Sequence, residues 1–511
     1  MSIASTKLAF FLFFLTVLVG RSQSISSIIL DSATHKPVPY ATIQLFNKGA
    51  ITNEEGRFSL NFDRVVSETD SLKISSIGYN TIHRPLASFT EPIIYLAPKA
   101  IELNPVIVTN KNYTPEEIIA LVKKNIEKNY NTSLTKRRLF LRETYRSSVT
   151  KSNYELIEST IEALNKNFLD SVVKAIPRNT VYYTESLGDL YGNEKSDDQK
   201  LDLIKASELY DKKEQIGIEE FEEKFNEIVK KNVKTDSYFK IKSGIFSFKV
   251  DGDELFDVEA DSTDLAALNE QLEEKKENEQ NRKNYFTKYK RQILGNLVEN
   301  LPIYEDSEYN FLWKQRKYDF TLEEFTYIGD NAVYVIKAEP NGSADFRGKL
   351  FINADDFAII RLDFENVKQL SKFSLMGISA SEYLAKGSIL FNKGENDKYS
   401  LSYYDVVKGN SMGVKRPLKI IEKNRIVKGR NRQNELHIKI DGAGRSVNRY
   451  EVVVFDELAI NAPIYEAFKE NNAVLPQYMP NYDPEFWKGY NIMEPNQAIK
   501  EFTSKVEISA N

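Results

Sequence analysis

The sequence predicts a mainly β protein with added α: an N-terminal seven-stranded β-sandwich, a helical middle region, and a large C-terminal antiparallel sheet of half-barrel type. Three observations carry this. Aromatic residues make up 12% of the 511 residues, and rings suit a pleated, half-buried surface. Apolar and polar residues alternate over short runs towards both ends of the chain, which is the period of a strand. Between them, apolar residues recur at irregular, helix-like spacing among many Lys and Glu. A chain of this length suggests roughly three domains.

Residues 1–22 read as a secretory signal peptide. Lys7 supplies the positive start, Leu8 to Val19 is apolar except for Thr16, and Ser22 and Ser24 are small residues suited to cleavage. The run is short for a membrane span, which needs about 20 apolar residues. Losing Lys7 and Arg21 takes the formal charge from −5 to −7, which argues against general nucleic-acid binding. The chain contains no cysteine. Disulfides, thiolate metal sites and an acylated N-terminal cysteine are therefore excluded. A core of this size can do without disulfides.

From residue 24 to 109 short strands alternate with turns. Ala41, Ile43 and Leu45 face one way and Thr42 and Gln44 the other; Leu72, Ile74 and Ser76 repeat the pattern, and "IIYL" and "PVIV" follow. About seven such strands predict a small sandwich. The stretch "GAITNEEGRFSL" places Asn53-Glu54-Glu55-Gly56 in a turn, with Gly56 free to take positive φ. Phe58 and Leu60 then point inward. Glu54 and Glu55 are expected at a solvated loop tip, since calcium takes about six to eight oxygen ligands and one such loop does not supply them.

These residues carry a family resemblance. "DSATHKPVPYATIQL", "GAITNEEGRFSL", "SSIGY" and "LAPKAIELNPVIVT" resemble the carboxypeptidase-D-regulatory-like domain, a transthyretin-like sandwich. The matching positions include Asp31, Pro37, Ala41, Thr52, Gly56, Phe58, Gly78 and Tyr79; Asn53 stands where the family usually has Asp. The resemblance implies a non-catalytic module at the N-terminus of a Bacteroidota outer-membrane or periplasmic protein. It does not imply a peptidase, and no receptor plug or long series of barrel strands is evident after it.

The middle region, 113–300, opens with a helix. Thr114 is its N-cap, Pro115 takes N1, and Glu117 completes a capping box. Ile118, Ile119, Val122 and Ile126 form its apolar stripe. "RLFLRETYRSS" then reads as a strand. Residues 196–235 are expected to be helical, with Leu201, Leu203, Ile204 and Leu209 as apolar positions. Residues 263–298 read as a charged helical excursion, since Glu273 to Asn284 contains no apolar residue; Phe286, Tyr289, Ile293 and Leu297 restore a core-facing stripe. The lead and the strand after it resemble the middle part of Bacteroidota proteins that carry the same sandwich.

From 301 to 511 the period becomes two. "NAVYVIKAEP" is a strand and "KLFINADDFAIIRLDFE" a hairpin; Ala358, Ile360, Leu362 and Phe364 share a face. "YLAKGSILF" pairs with "KYSLSYYDVV" around Gly394, and "PLKIIEKNRIV", "NELHIKI" and "RYEVVVF" continue as further strands. "FRGKLFINADDFAIIRLDFE" resembles open half-barrels of the lipoprotein-carrier type. Trp487 is the expected packing anchor of a final loop and short helix.

No residue is assigned a catalytic, cofactor-binding or metal-binding role. His35, His83 and His437 have no second His at helical spacing. "GISAS", Gly377 to Ser381, is one residue short of a nucleophile elbow. The acidic stretch Asp251 to Asp261 lacks the Gly and Glu of a calcium loop. The expectation is an exported, non-enzymatic accessory protein of the cell envelope, periplasmic or outer-membrane-associated, that binds a protein partner. A lipid or peptide carrier using the half-barrel groove, and an envelope hydrolase with carboxylates not visible in sequence, are the alternatives.

Overall fold

The computed structural model of the chain describes residues 23–505 except 47, 63–64, 100–112, 235–236, 252–264, 329–330, 395, 425 and 427–431. The targeting segment, the "PVIV" strand at 105–108 and nearly all of the acidic stretch 251–261 lie outside the described residues.

The N-terminal segment forms seven strands: β1 Gln23–Asp31, β2 Thr42–Leu45, β3 Lys48–Ile51, β4 Arg57–Phe62, β5 Ser71–Ser75, β6 Ile82–Pro85 and β7 Ile93–Leu96. They pair as β4-β1-β7 and β3-β2-β5-β6. The alternation seen in the sequence closes a core between the two sheets, with Ile29, Ile43, Leu60, Leu72 and Ile94 fully buried. Thr52 locks the first turn: its hydroxyl donates to the Val38 carbonyl and accepts from the Ala41 amide, each at 2.8 Å. Asp31 caps the next loop, accepting from the amides of Ala33 and Thr34 and from the Tyr79 hydroxyl.

The rest of the chain is built on one open sheet of 14 strands. Its main path starts at β13 (Tyr318–Ile328), β14 (Asn331–Pro340), β15 (Phe346–Asn353) and β16 (Ile359–Asn366). It continues through β18 (Ile378–Lys393), β19 (Tyr399–Asn424), β20 (Arg432–Ala459), β8 (Thr135–Ser159), β9 (Asn179–Gly192) and β10 (Lys200–Tyr210), and ends at the short β21 (Gln477–Tyr478). Two hairpins hang on its edge: β17 (Ser371–Leu375) pairs with β18, and β11 (Ser237–Ser243) with β12 (Phe246–Asp251) and β19. β21 pairs with β10 in parallel.

One face of the sheet is covered by helices. In α1 (Pro115–Lys124) the capping box forms as the sequence implies, with Thr114 and Glu117 each bonded to the other's backbone. Ile118, Ile119 and Val122 are fully buried against the sheet. A short α2 (Ile126–Asn129) follows, and Tyr130 donates to the Ile359 carbonyl. The helices α3 (Lys166–Ala175) and α4 (Lys212–Asn232) cover Leu156, Ile420, Leu436 and Ile438 farther along. The last turns of α5 (Leu265–Glu299) bury Leu294, Leu297 and Val298 in the main core. Thr287 and Lys290 share that buried stripe, whereas Tyr289 lies at its rim.

The structure differs from the sequence reading in two places. Residues 200–210 are a strand, so the helical middle region is only partly helical: β8 to β12 all join the sheet. Leu201, Leu203 and Ala206 are buried on one face and Ser207 and Leu209 on the other, and a bulge between Leu203 and Lys205 shifts the phase. That bulge blurred the period-two signal. The second difference is strand continuity. "PLKIIEKN" belongs to the 26-residue β19, and "NELHIKI" and "RYEVVVF" are both in the 28-residue β20. Gly409, Gly413, Gly442 and Gly444 look like turn residues but stay paired. A Cβ on Gly409 would come within 2.8 Å of Leu384, and one on Gly413 within 2.6 Å of the Ser379 hydroxyl. Close side-chain approach, rather than chain reversal, is what these glycines allow.

Leu294 is 2% exposed in the helix–sheet core. Leu294→Ala should cost about 2–5 kcal/mol through lost burial and the cavity left behind, measured by denaturant unfolding of the two proteins.

Candidate binding cleft between the sandwich and the sheet

The other face of the sheet carries the sandwich and the C-terminal tail. The strands beneath them are apolar in both phases, as in "RLFLR" and "EVVVF", which is the mark of a strand buried on both faces. Leu139 and Leu141 face the helices, while Phe140 and Val453 face the tail. Trp487 is the anchor that the sequence suggests: it is 3% exposed and meets the Phe140 ring edge-on, with centroids 5.5 Å apart.

At this junction polar side chains occupy core positions. Arg142 is 2% exposed. Its Nε donates to Glu185 Oε1 at 2.8 Å, and its two Nη atoms donate to the carbonyls of Met493 and Glu494. The second oxygen of Glu185 accepts from the Trp487 indole at 2.8 Å. One strand over, Arg449 makes a two-point contact with Asp405, at 2.8 and 2.9 Å, and lies 3.3 Å from Glu451. The same guanidinium reaches into the sandwich, to Glu54 and, at 3.1 Å, to the Tyr40 hydroxyl. Burial alone would make Arg449 easier to deprotonate, but the Asp405 hydrogen bonds and the charge of Glu451 push its pKa up. Burial raises the Glu451 carboxyl, and the charges of Arg449 and Arg142 oppose that shift.

The acidic turn of the sandwich is solvated on one side, with Glu54 exposed as expected, and held on the other. It forms the expected turn, with Gly56 at φ 71°, but it is a docking element. Asn53 is 1% exposed and donates to the Pro495 carbonyl at 3.2 Å. Glu55 accepts from the Gln497 amide at 3.0 Å. Farther along, Asn61 and Asn491 exchange side-chain and backbone hydrogen bonds. The tail from Tyr490 to Gln497 thus lies between the sandwich and the sheet and bonds to both. Tyr40 completes the seam. Its backbone is left-handed at φ 58°, a conformation that costs a non-glycine residue roughly 1–2 kcal/mol. It is held there by stacking on Tyr403, with centroids 5.2 Å apart. The sandwich makes a second contact at the sheet's far edge, where the Gly78 amide donates to the Tyr327 carbonyl at 3.0 Å.

Between these contacts lies a cleft of about 520 Å³, with Tyr40 on its sandwich side. Its floor is formed by β13 to β16, β18 and β19, with charges of both signs: Glu323, Lys337, Lys349, Asp363, Glu365 and Lys386 among them. Lys349 pairs with Glu323 at 2.6 Å and Lys337 with Glu339 at 2.9 Å. Two smaller hollows, about 270 and 330 Å³, flank the junction near Lys136 and Glu457. Among the described residues, no three His, Asp or Glu converge as a metal site. The three histidines are apart: His35 packs on Tyr95, His83 is exposed on β6, and His437 sits on β20 opposite Lys419. Gly377 is the turn of a hairpin rather than a nucleophile elbow. Sequence reading missed Tyr40, Arg142, Glu185, Asp405, Arg449 and Glu451. The available signal was charge placed in the buried phase of strands that are apolar on both sides.

Arg449→Ala would leave the buried Glu451 and the half-buried Asp405 without their partner, so a loss at the lower end of about 3–5 kcal/mol is expected in denaturant unfolding. Alkali should act at the same seam. Burial and the Asp405 charge push Tyr40 up to about 12 from an ordinary 10.0. A raised acid favours the folded state while protonated, so this contribution is complete below pH 10 and lost between about 10 and 12. Tyr40→Phe should flatten the fall in unfolding free energy over that window.

Residues 25–108 match the model of the CarboxypepD_reg-like domain. No curated protein matches the chain in sequence. Among solved structures, a LolA superfamily protein from Nitrosomonas europaea aligns at 9% identity over 70% of this chain and 99% of its own, with a TM-score of 0.17. The MucA/MucB complex of Pseudomonas aeruginosa aligns at 6% over 64% and 93%, TM-score 0.15. A putative membrane-associated protein of unknown function from Bacteroides fragilis aligns at 8% over 84% and 98%, TM-score 0.13. Likenesses at these TM-scores carry no argument. The matched segment coincides with the seven strands and the docked turn described above, and the N-terminal sandwich is a CarboxypepD_reg-like domain.

Proposed function

We propose that the chain is an exported, non-enzymatic binding protein of the bacterial cell envelope that takes a polar protein segment in the cleft between its sandwich and its sheet. The observation that carries this is the cleft itself: about 520 Å³, bordered by a sandwich held rigidly in place and floored by side chains of both signs. An extended peptide offers matching charges and backbone groups to such a floor. A lipid chain would bury the Lys349–Glu323 and Lys337–Glu339 pairs without replacing their water, which is costly. On the opposite face, the groove that a half-barrel carrier would use is filled by α1, α5 and the residues after it, with Tyr309 and Phe311 fully buried. Against a hydrolase stands the state of the acids at the seam: Glu185, Asp405 and Glu451 are each in contact with a guanidinium. Export rests on the pattern of residues 1–22, and an outer-membrane partner on the company that such sandwiches keep.

Affinity purification from the native envelope should recover a protein partner with this chain. Lys386→Glu, which reverses one charge on the cleft floor, should reduce that recovery about tenfold and leave the unfolding midpoint unchanged, because Lys386 is exposed. Recovery of the chain alone, or of the same partner in equal amount with the variant, would count against the cleft.

A further inference from the structure

Away from the cleft, two hairpins join the same edge of β19 from opposite ends. β18 pairs with it up to Val414, and β11 takes over from Lys419. Their tips meet at Arg416. The Lys415 amide donates to the Gly377 carbonyl at 2.6 Å, the Ser243 hydroxyl donates to the Pro417 carbonyl at 2.9 Å, and the Arg416 guanidinium bonds to the Ser243 carbonyl and lies over the Phe246 ring.

Register puts the apolar side chains of this edge on one face. Phe248 is opposite Ile241, which is opposite the core residue Ile420. Phe246 and Phe248 therefore share the face of Ile420. Phe373 pairs with Ala380 and Ala380 with Met412; Leu375 pairs with Ile378 and Ile378 with Val414. Met412, Val414 and Ile420 are in phase along β19, so both hairpins present the same side. All of Phe246, Phe248, Phe373, Leu375, Ile378 and Met412 are exposed, Met412 at 65%.

The turns repeat the pattern. Met376 and Gly377, at φ 51° and 80°, form a two-residue turn of type I′, and Gly244 at φ 60° opens the other. Asn, Asp or Gly is the usual first residue of a type I′ turn. Met376 takes that strained position here, and Ile245, 76% exposed, tips the second hairpin. Neither side chain gains burial within the fold. Nearest the tips the charge is of one sign, from Lys242, Lys372, Lys415 and Arg416; Asp251, Glu382 and Glu422 lie farther along the strands, and Lys419 pairs with Glu435.

We propose that this double hairpin edge docks on an anionic bilayer surface. The apolar side chains at the tips enter the interface, and Lys242, Lys372 and Lys415, which stand beside the tips in the opposite strand phase, reach lipid phosphates past their own apolar stems. Charge complementarity decides for a membrane: the charged residues next to the tips, Lys242, Lys372, Lys415 and Arg416, are all basic. The surface is also two hairpin tips and a strand edge. Interfacial binding of this kind needs buried apolar area and opposite charge rather than a fitted contour.

The test uses the chain from Gln23 onward, since the apolar run of residues 1–22 would itself enter lipid. Sedimentation with vesicles of phosphatidylcholine alone, and of phosphatidylcholine with phosphatidylglycerol, should show at least about tenfold tighter binding to the anionic vesicles, weakening as salt rises. Ile245→Asn with Met376→Asn should abolish most of that binding. It should leave the unfolding midpoint in place, because Asn tolerates the left-handed turn position and both sites are exposed. Lys242→Gln with Lys372→Gln and Lys415→Gln should remove the preference for anionic lipid. Equal binding to both vesicle types, undiminished binding of the double Asn variant, or capture of a protein partner through these tips with no vesicle binding would overturn the proposal. None of these variants touches the cleft, so partner recovery there is read separately.

Discussion

The molecule depends on two guanidinium groups at one seam, Arg142 buried and Arg449 half-buried. Arg142 and Arg449 stand side by side on neighbouring strands, β8 and β20, in positions where both faces of the sheet are covered. Each is a charge that cannot remain buried unless paired, and each partner comes from a different part of the chain: Glu185 and Asp405 from the sheet, Glu54 and Tyr40 from the sandwich, the carbonyls of Met493 and Glu494 from the tail. A buried ion pair is a poor source of net stability compared with apolar packing, but breaking one is costly. Its value here lies in specificity. Three segments separated by hundreds of residues must all arrive for the charges to be satisfied.

That arrangement gives the sandwich a fixed place over the sheet. A domain held on a linker alone would sample many orientations and define no cleft. Here the turn 53–57, the tail 490–497 and the Gly78 loop hold it at separated points, and the space between them keeps one shape. The same logic distributes function over the surface. One face of the sheet is filled by helices, the other holds the cleft, and the exposed apolar residues are concentrated on the hairpin edge where neither the sandwich nor the helices reach.

Much of this was legible in residues. The sandwich was readable because its strands are short, alternate cleanly and are separated by turns with a chemical reason, such as Gly56. The first helix was readable because Thr114, Pro115 and Glu117 each satisfy a backbone need at a known position. Trp487 was readable as an anchor because it is one of only two tryptophans in the chain and lies in a loop next to a short helix. The long sheet was harder. Glycines at 409, 413, 442 and 444 look like punctuation but stay paired, and at 409 and 413 they serve close approach to the strand β18 that precedes β19. The strand at 200–210 was lost because a bulge breaks its alternation. The seam was invisible as chemistry, since pairing between residues such as Glu54 and Arg449 is a property of the fold. Only their setting was visible: charged residues in the buried phase of strands that are apolar on both sides.

The central claim is that the sandwich, the tail and the sheet fold as one unit through the Arg142 and Arg449 seam. Scanning calorimetry of the intact chain tests it directly. A single cooperative endotherm, with calorimetric and van't Hoff enthalpies in agreement, is the predicted result. Two resolved transitions, one of them the sandwich melting on its own, would contradict it.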